Sequence, residues 1–286
     1  KKYKLTSLHL MVLILGFTGI LGKLISLETI HLVWYRMWIA CISLAAFLFL
    51  KNQLFTINRT NFIGLLAVGA LVTIHWLCFF KSIKVSNVSV AVVCMATSSL
   101  FSAIIEPIFF KRKLLIYEII MAVIVFISLA FMMGIETKYI LGYFYGITAA
   151  FFGTLFTLFN AKYIKKVGAA QITMIEMLAG IIIISCWLLF HKDYTVFTSF
   201  ISIKDFLYLI VLGTLCTAVV FVWMTEIMRH ITPYSLIMAI NLEPIYSIIL
   251  AIIIFGSNEV MSSSFYIGST IIIAVVFLEG FLKNKQ

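Results

Sequence analysis

Asn241, Glu243 and Pro244 interrupt an otherwise apolar stretch, PYSLIMAINLEPIYSIILAIIIF, that runs from Pro233 to Phe255. A helix entering a bilayer near Tyr234 carries Glu243 roughly 14 Å deep at about 1.5 Å per residue, close to the middle of a hydrocarbon core about 30 Å thick. A carboxylate at that depth costs on the order of 2.5 kcal/mol or more unless it is protonated, paired or wet. Pro244 removes a backbone donor and frees carbonyls near Ile240 at the same level. A polar notch in the centre of an apolar span predicts a site inside a membrane. Its chemistry is ion pairing, hydrogen bonding or proton exchange.

Other residues could share that work. Arg36 lies roughly 9 Å inside a second apolar span, where its guanidinium either snorkels outward or anchors a carboxylate or phosphate with two parallel hydrogen bonds. Trp34, Tyr35 and Trp38 surround it as an interfacial belt or as a substrate platform. His75 and Trp76 fall at a similar depth, roughly 8 Å, in a third span. A histidine there can relay protons, its ordinary pKa being near 6.5, or simply bond a backbone carbonyl. Glu176, roughly 10 Å from the opposite surface in a seventh span, is a candidate proton site or one half of an ion pair with another helix. If Arg36 and Glu176 approach from mirrored depths, about 11 Å separates their backbones in a core about 30 Å thick. Together they would grip a molecule with a carboxylate at one end and an ammonium at the other, with Trp76 or Phe79 packed against the rest. That describes a free amino acid.

Several residues carry plainer readings. Glu106 and Glu226 lie near the ends of their spans, and Glu226 is three residues before Arg229, which predicts an ion pair on one helix face. The repeat of Gly16, Gly19 and Gly22 predicts close helix packing. Asn160 closes a span and is expected to bond neighbouring backbone. The sequence holds no HExxH, GxSxG or Walker signature, so an intramembrane enzyme is the weakest reading. A passive channel fits poorly for want of a charged ring or filter-like segment. The five cysteines fall in apolar runs without paired spacing, and neither cofactor, metal nor disulfide framework is expected.

Ten apolar spans can position these groups: Leu8–Ile25, Ile30–Leu50, Asn61–Phe80, Val88–Phe110, Leu114–Gly134, Tyr139–Ala161, Ala169–Phe190, Asp205–Met228, Tyr234–Phe255 and Ser263–Phe281. The chain is 63% hydrophobic and 11% charged, against about a quarter charged for soluble domains. The expected fold is an all-α integral membrane protein. The N-terminal run resembles a signal peptide but lacks a small-x-small cleavage site, so it reads as a retained first helix. Net charge of +10 is spread over short loops, which points to membrane orientation and not to a nucleic-acid partner. The termini and the loops after spans 2, 4, 6 and 8 hold 14 of the 21 Lys and Arg, so both termini are expected in the cytoplasm, with the protein in the cell (inner) membrane.

The two halves resemble one another. An offset of 145 sets Pro244 against Ser99 and Glu243 against Ser98, and an offset of 140 sets Arg36 in YRMWIACI against Glu176 in MIEMLAGI. Five spans per half require that a duplication be inverted, the architecture of many secondary transporters. Glu243-Pro244 in NLEPIYSIILAIIIFG, the SSLFSAIIEPIFF segment followed by KRK, and the FFKSIKVSNVSVAV connection make the chain resemble the EamA-type branch of the drug/metabolite transporter superfamily. The resemblance implies ten transmembrane helices in two inverted five-helix repeats, residues 1–135 and 139–282. It implies a secondary transporter of a small polar metabolite, often an exporter, working by alternating access. An amino acid-like substrate is favoured by the Arg36 and Glu176 reading; nucleotide-, sugar- or drug-like substrates are the alternative within the same fold. Ser98 and Ser99, standing where the second half has Glu243 and Pro244, predict an asymmetric central site. The expected partners are the small-molecule substrate and the lipid bilayer, with the chain a monomer or homodimer.

Overall fold

In the computed structural model, residues 2–53, 57–113, 115–135, 137–198 and 201–283 are described, and every regular element among them is helical. Residue 1 and Leu114, which fall in a repeat and a span drawn from sequence, lie outside the described residues. The first half holds α1 (Lys2–Leu24), α2 (Thr29–Leu50), α3 (Arg59–Val85), α4 (Val88–Met95), α5 (Ser98–Phe110) and α6 (Ile116–Ile135). The second half holds α7 (Ile140–Tyr163), α8 (Ala169–Phe190), a short α9 (Thr195–Thr198), α10 (Ile203–Gly213), α11 (Val220–Ile227), α12 (Pro233–Ile240), α13 (Glu243–Phe255) and α14 (Ser263–Lys283). A π-turn, Thr214–Val219, joins α10 to α11. Thr29–Leu50, Arg59–Val85, Val88–Phe110, Thr137–Tyr163, Ala169–Phe190 and Ile203–Ile227 are long and apolar enough to cross a membrane. Leu8–Leu24, Ile116–Met132, Glu243–Phe255 and Ser263–Val275 are shorter apolar helices.

Local chemistry sets where these helices start and stop. Asn58, Asn87, Ser202 and Thr232 each accept a hydrogen bond from the backbone N–H three residues on, at 2.8, 2.8, 3.1 and 3.2 Å. Each thereby satisfies one orphan donor at a helix start. The end of α13 turns at Gly256, whose φ of +57° suits a residue without a Cβ.

Two spans are broken at their centres, one where Pro244 predicts an interruption and one without any signal in the sequence. The segment 88–110 is split into α4 and α5, and the segment 233–255 into α12 and α13. The same 145-residue offset relates both pairs of half-helices, Val88 to Pro233 and Ser98 to Glu243, and their lengths match at 8 and 13 residues. The breaks use different chemistry. At the second, Pro244 stands in the first turn of α13, where its missing N–H costs nothing, so it starts a helix instead of kinking one. At the first there is no proline, and hydroxyls take up the freed carbonyls: Thr97 Oγ donates to Cys94 O at 2.6 Å and Ser99 Oγ to Ala96 O at 2.8 Å.

The packing pairs each half with the other. α2 lies on α8, α4 on α13, α5 on α12 and α6 on α14, while α3 packs on both α7 and α8 and α1 on α13. Small residues let these helices approach. A Cβ at Gly22 would fall 2.3 Å from Phe80, and one at Gly19 would fall 3.0 Å from Val88. The outer surface is apolar: Ile108 and Ile253, related by the 145 offset, are each 74% exposed, as are many other Ile, Leu and Phe side chains. Arg36, Glu176 and Glu243 are buried instead. Apolar outside and charged inside is the distribution that a hydrocarbon solvent selects.

Candidate substrate-binding cavity

A cavity of about 80 Å³ opens beside the break between α12 and α13. Arg36 from α2, His75, Trp76 and Phe79 from α3, Ser98 from α5, and Asn241 and Glu243 from the second break all line it. These are seven of the nine residues singled out from sequence. Ser99 is not among the lining residues; its hydroxyl is spent on Ala96 O. Glu176 is fully buried in α8 but outside the cavity. The grip expected between Arg36 and Glu176 is therefore not assembled here, and the carboxylate that shares the cavity with Arg36 is Glu243.

Arg36 is held from three sides. Its Nε donates to Thr217 Oγ1 at 2.6 Å and its Nη2 to Cys216 O at 3.4 Å. Its Cζ lies 3.9 Å from the Trp76 ring centroid and 5.3 Å from that of Phe80, so the guanidinium is stacked on aromatic faces. Thr217 and Cys216 belong to the π-turn, and their placement follows from two features of that segment. Gly213, just before it, lets α2 come close, since a Cβ there would sit 2.7 Å from Ile39 and 3.1 Å from Arg36 O. The widened turn then points Cys216 O and the Thr217 hydroxyl at the guanidinium, a recurrent use of such turns at functional sites. Snorkelling is thus replaced by a fixed fork. Arg36 Nη1 is buried and makes no hydrogen bond within the protein.

Glu243 opens α13 and is 7% exposed. It lies within the electrostatic field of Arg36, yet the two form no ion pair at or below 4.0 Å. Asn241 Nδ2, on a lining residue, is buried without a hydrogen bond in the protein, and the buried Thr18 hydroxyl, also on a lining residue, faces the Cys216 thiol. The cavity therefore presents a cationic donor, a carboxyl group, an amide donor and a hydroxyl. Around them stand the rings of Trp76, Phe79, Phe156 and Phe221, with Trp76 and Phe221 edge to face at 5.0 Å.

The remaining candidates have specific partners. His75 Nδ1 is 2.7 Å from Ala149 O; since a carbonyl only accepts, that nitrogen carries the proton and donates. Ser98 Oγ donates to Ala150 O at 3.3 Å. Trp34 Nε1 donates to Ser185 Oγ at 2.9 Å, and the Tyr35 hydroxyl donates to Val196 O, so both point away from the cavity. Glu226 pairs with Arg229 at 2.8 Å, as their spacing predicts. The Asn160 amide does not serve its own turn as expected: it faces the Glu176 carboxylate without closing a hydrogen bond within 3.5 Å.

Sequence reasoning missed Thr18, Thr217, Phe156 and Phe221. Thr217 had a faint signal, a second hydroxyl three residues after Thr214 and just beyond Gly213 in an apolar span. The two phenylalanines had none, being two among 26.

A helical bundle that turns its apolar residues outward and encloses a charged cavity is a membrane protein built around an internal polar site. Residues 4–134 and 140–280 each match the model of the EamA-like transporter family, and the chain belongs to that family of membrane transporters. The resemblance read from the sequence is borne out. One solved crystal structure shares the fold with a TM-score of 0.73, at 12% identity, over 99% of this chain and 98% of the other. No curated protein matches the sequence.

Proposed function

We propose that this chain is a secondary transporter of a small zwitterionic metabolite of the amino-acid kind, acting by alternating access with export as its direction. The repeats are taken as residues 1–135 and 139–282, with ten spans, inverted relative to one another, and both termini in the cytoplasm of a cell with the protein in its inner membrane. One observation carries the reading: Arg36, with Nη1 uncommitted, and Glu243 share a single cavity without pairing directly. A carboxylate can accept from the guanidinium, and an ammonium can donate to Glu243. Asn241 and Thr18 supply neutral hydrogen bonds, and Trp76 and Phe79 pack on the remainder.

Size weighs against large ligands more than small ones, although amino acids beyond glycine, with at least as many heavy atoms as benzene, also need the cavity to widen. The cavity of about 80 Å³ is smaller than the roughly 150 Å³ that suffices for benzene in an apolar protein cavity. Nucleotide- and drug-sized ligands would need it to expand considerably. Glu176, buried beside Asn160 and away from the cavity, serves as a coupling residue in this scheme, not as a substrate ligand. The test is counterflow in proteoliposomes with a panel of zwitterions, sugars, nucleobases and cationic drugs. Zwitterions should compete and exchange label. Competition only by uncharged or purely cationic compounds would overturn the assignment, and uniform leakage of label without exchange would indicate a channel.

A further inference from the structure

Two buried carboxylates tie together the ends of the broken spans, one at each end. Glu259 follows α13 in the chain and is fully buried. Its Oε1 accepts from Lys23 Nζ at 2.7 Å and from Val88 N at 3.0 Å; its Oε2 accepts from Ser89 N at 3.1 Å and Ser89 Oγ at 2.9 Å. It thereby caps the first turn of α4 and draws in the end of α1. Lys23 also stands 4.4 Å from the ring centroid of Phe255, the last residue of α13. At the other end Glu106, in the last turns of α5 and 3% exposed, accepts from Tyr234 N at 2.9 Å, in the first turn of α12. Its Oε2 also accepts from Ser102 Oγ at 3.3 Å, and its Oε1 lies 3.6 Å from Arg112 Nε.

The two clasps are counterparts. Each joins a carboxylate near the end of one broken span to N-terminal backbone of the other; Lys23 pairs directly with Glu259 across the halves, whereas Arg112 forks on Glu118 at 2.9 and 3.0 Å and stands beside Glu106 at 3.6 Å. The 145 offset sets Ser89 against Tyr234, so the same backbone position is captured at both ends of the molecule. Each clasp also bridges the two halves: Lys23, Val88 and Ser89 meet Glu259, and Glu106 meets Tyr234. A movement of one half against the other that admits water to the cavity from one end must break the clasp at that end and can leave the other closed. With both clasps closed, the cavity is small and residues of both breaks line it.

We propose that Glu259 and Glu106 are the two gate latches of the transport cycle, released alternately, Glu259 at the end that carries Lys23 and Glu106 at the end that carries Arg112. The inference rests on the transporter reading above. Its test reads opening directly, without a substrate. Thr157, which lines the cavity from α7 and belongs to neither clasp, is replaced by cysteine in a chain whose five native cysteines are changed to Ala or Ser. A membrane-impermeant maleimide is then applied to right-side-out and to inverted vesicles. Loss of a charge-assisted latch should shift the balance of states about tenfold, so Glu259→Gln should speed labelling about tenfold from the Lys23 face only. Glu106→Gln should do so from the Arg112 face only. Lys23→Met and Ser89→Ala, which spare the carboxylate, should move labelling in the Glu259→Gln direction by less; they carry the test if the carboxylate variant is not recovered folded.

Labelling that is unchanged in all variants, or that rises from the same face in both carboxylate variants, overturns the latch assignment even if counterflow proceeds. Opposite-face opening in a protein that exchanges no solute upholds the latches and overturns the transport reading instead.

Discussion

The two broken spans have the same backbone design and different chemistry. α4–α5 and α12–α13 match in length, in the position of the break, and in the capture of an N-terminal amide by a carboxylate in or just after the opposite span. Yet the first break offers Ser98 and Ser99, while the second offers Asn241, Glu243 and Pro244. A break can be made with hydroxyls or with proline, because either satisfies or removes the backbone groups that an interrupted helix exposes. A charge is not interchangeable in that way. The single carboxyl makes the cavity asymmetric, so that Arg36 shares it with one acidic side chain and not two.

The largest effect should come from abolishing that asymmetry. Glu243→Gln removes the anion while leaving the break and its proline; if the ammonium of the substrate docks there, affinity in a binding assay should fall on the order of 100-fold or more, with the protein still monodisperse. Unchanged affinity would reduce Glu243 to a packing residue. Arg36→Lys keeps the charge but gives up the planar fork stacked on Trp76 and the Nε contact to Thr217. A loss of about 10- to 30-fold in zwitterion binding is expected, and competition assays on the purified variant would measure it. A smaller change should follow Thr217→Val, which removes one acceptor of the Arg36 fork while preserving shape. One hydrogen bond is worth about 1 kcal/mol, so affinity should drop about fivefold, and a full loss would mean that the π-turn itself had collapsed. Smallest in its effect on the site is Ser99→Pro, which writes the second break's chemistry into the first. It forfeits the bonds from Ser99 N and Ser99 Oγ to Ala96 O, at 3.3 and 2.8 Å. Stability should fall by about 1–2 kcal/mol in thermal unfolding, with binding unchanged. A large loss of binding would show that the two breaks are not interchangeable in backbone.

Much of this molecule was legible without coordinates. The apolar runs, the polar notch at Glu243, the 145-residue repeat and the resemblance to the EamA family follow from composition and order along the chain. A buried charge in an apolar span announces itself, because hydrocarbon tolerates so few of them. Depth could be read in the same way, by counting residues at 1.5 Å each. Arg36, Trp76 and Glu243 were therefore found as candidates from one dimension alone.

What depth does not contain is direction around a helix and the identity of its neighbour. Counting residues sets Arg36 and Glu176 at mirrored depths, yet Glu176 faces Asn160 outside the cavity and Glu243 lines the cavity with Arg36. The break in 88–110 was invisible because serine and threonine are ordinary in apolar helices, and only the carbonyls they bond reveal the interruption. The π-turn that orients Arg36 and the two carboxylate clasps join residues as far as 236 positions apart in the chain. Sequence marked the apolar helices and the charged residues within them, since both are properties of a single helix in a solvent. Tertiary structure alone decided which of them meet, since that depends on how apolar helix surfaces, nearly alike in pattern, choose their partners by shape.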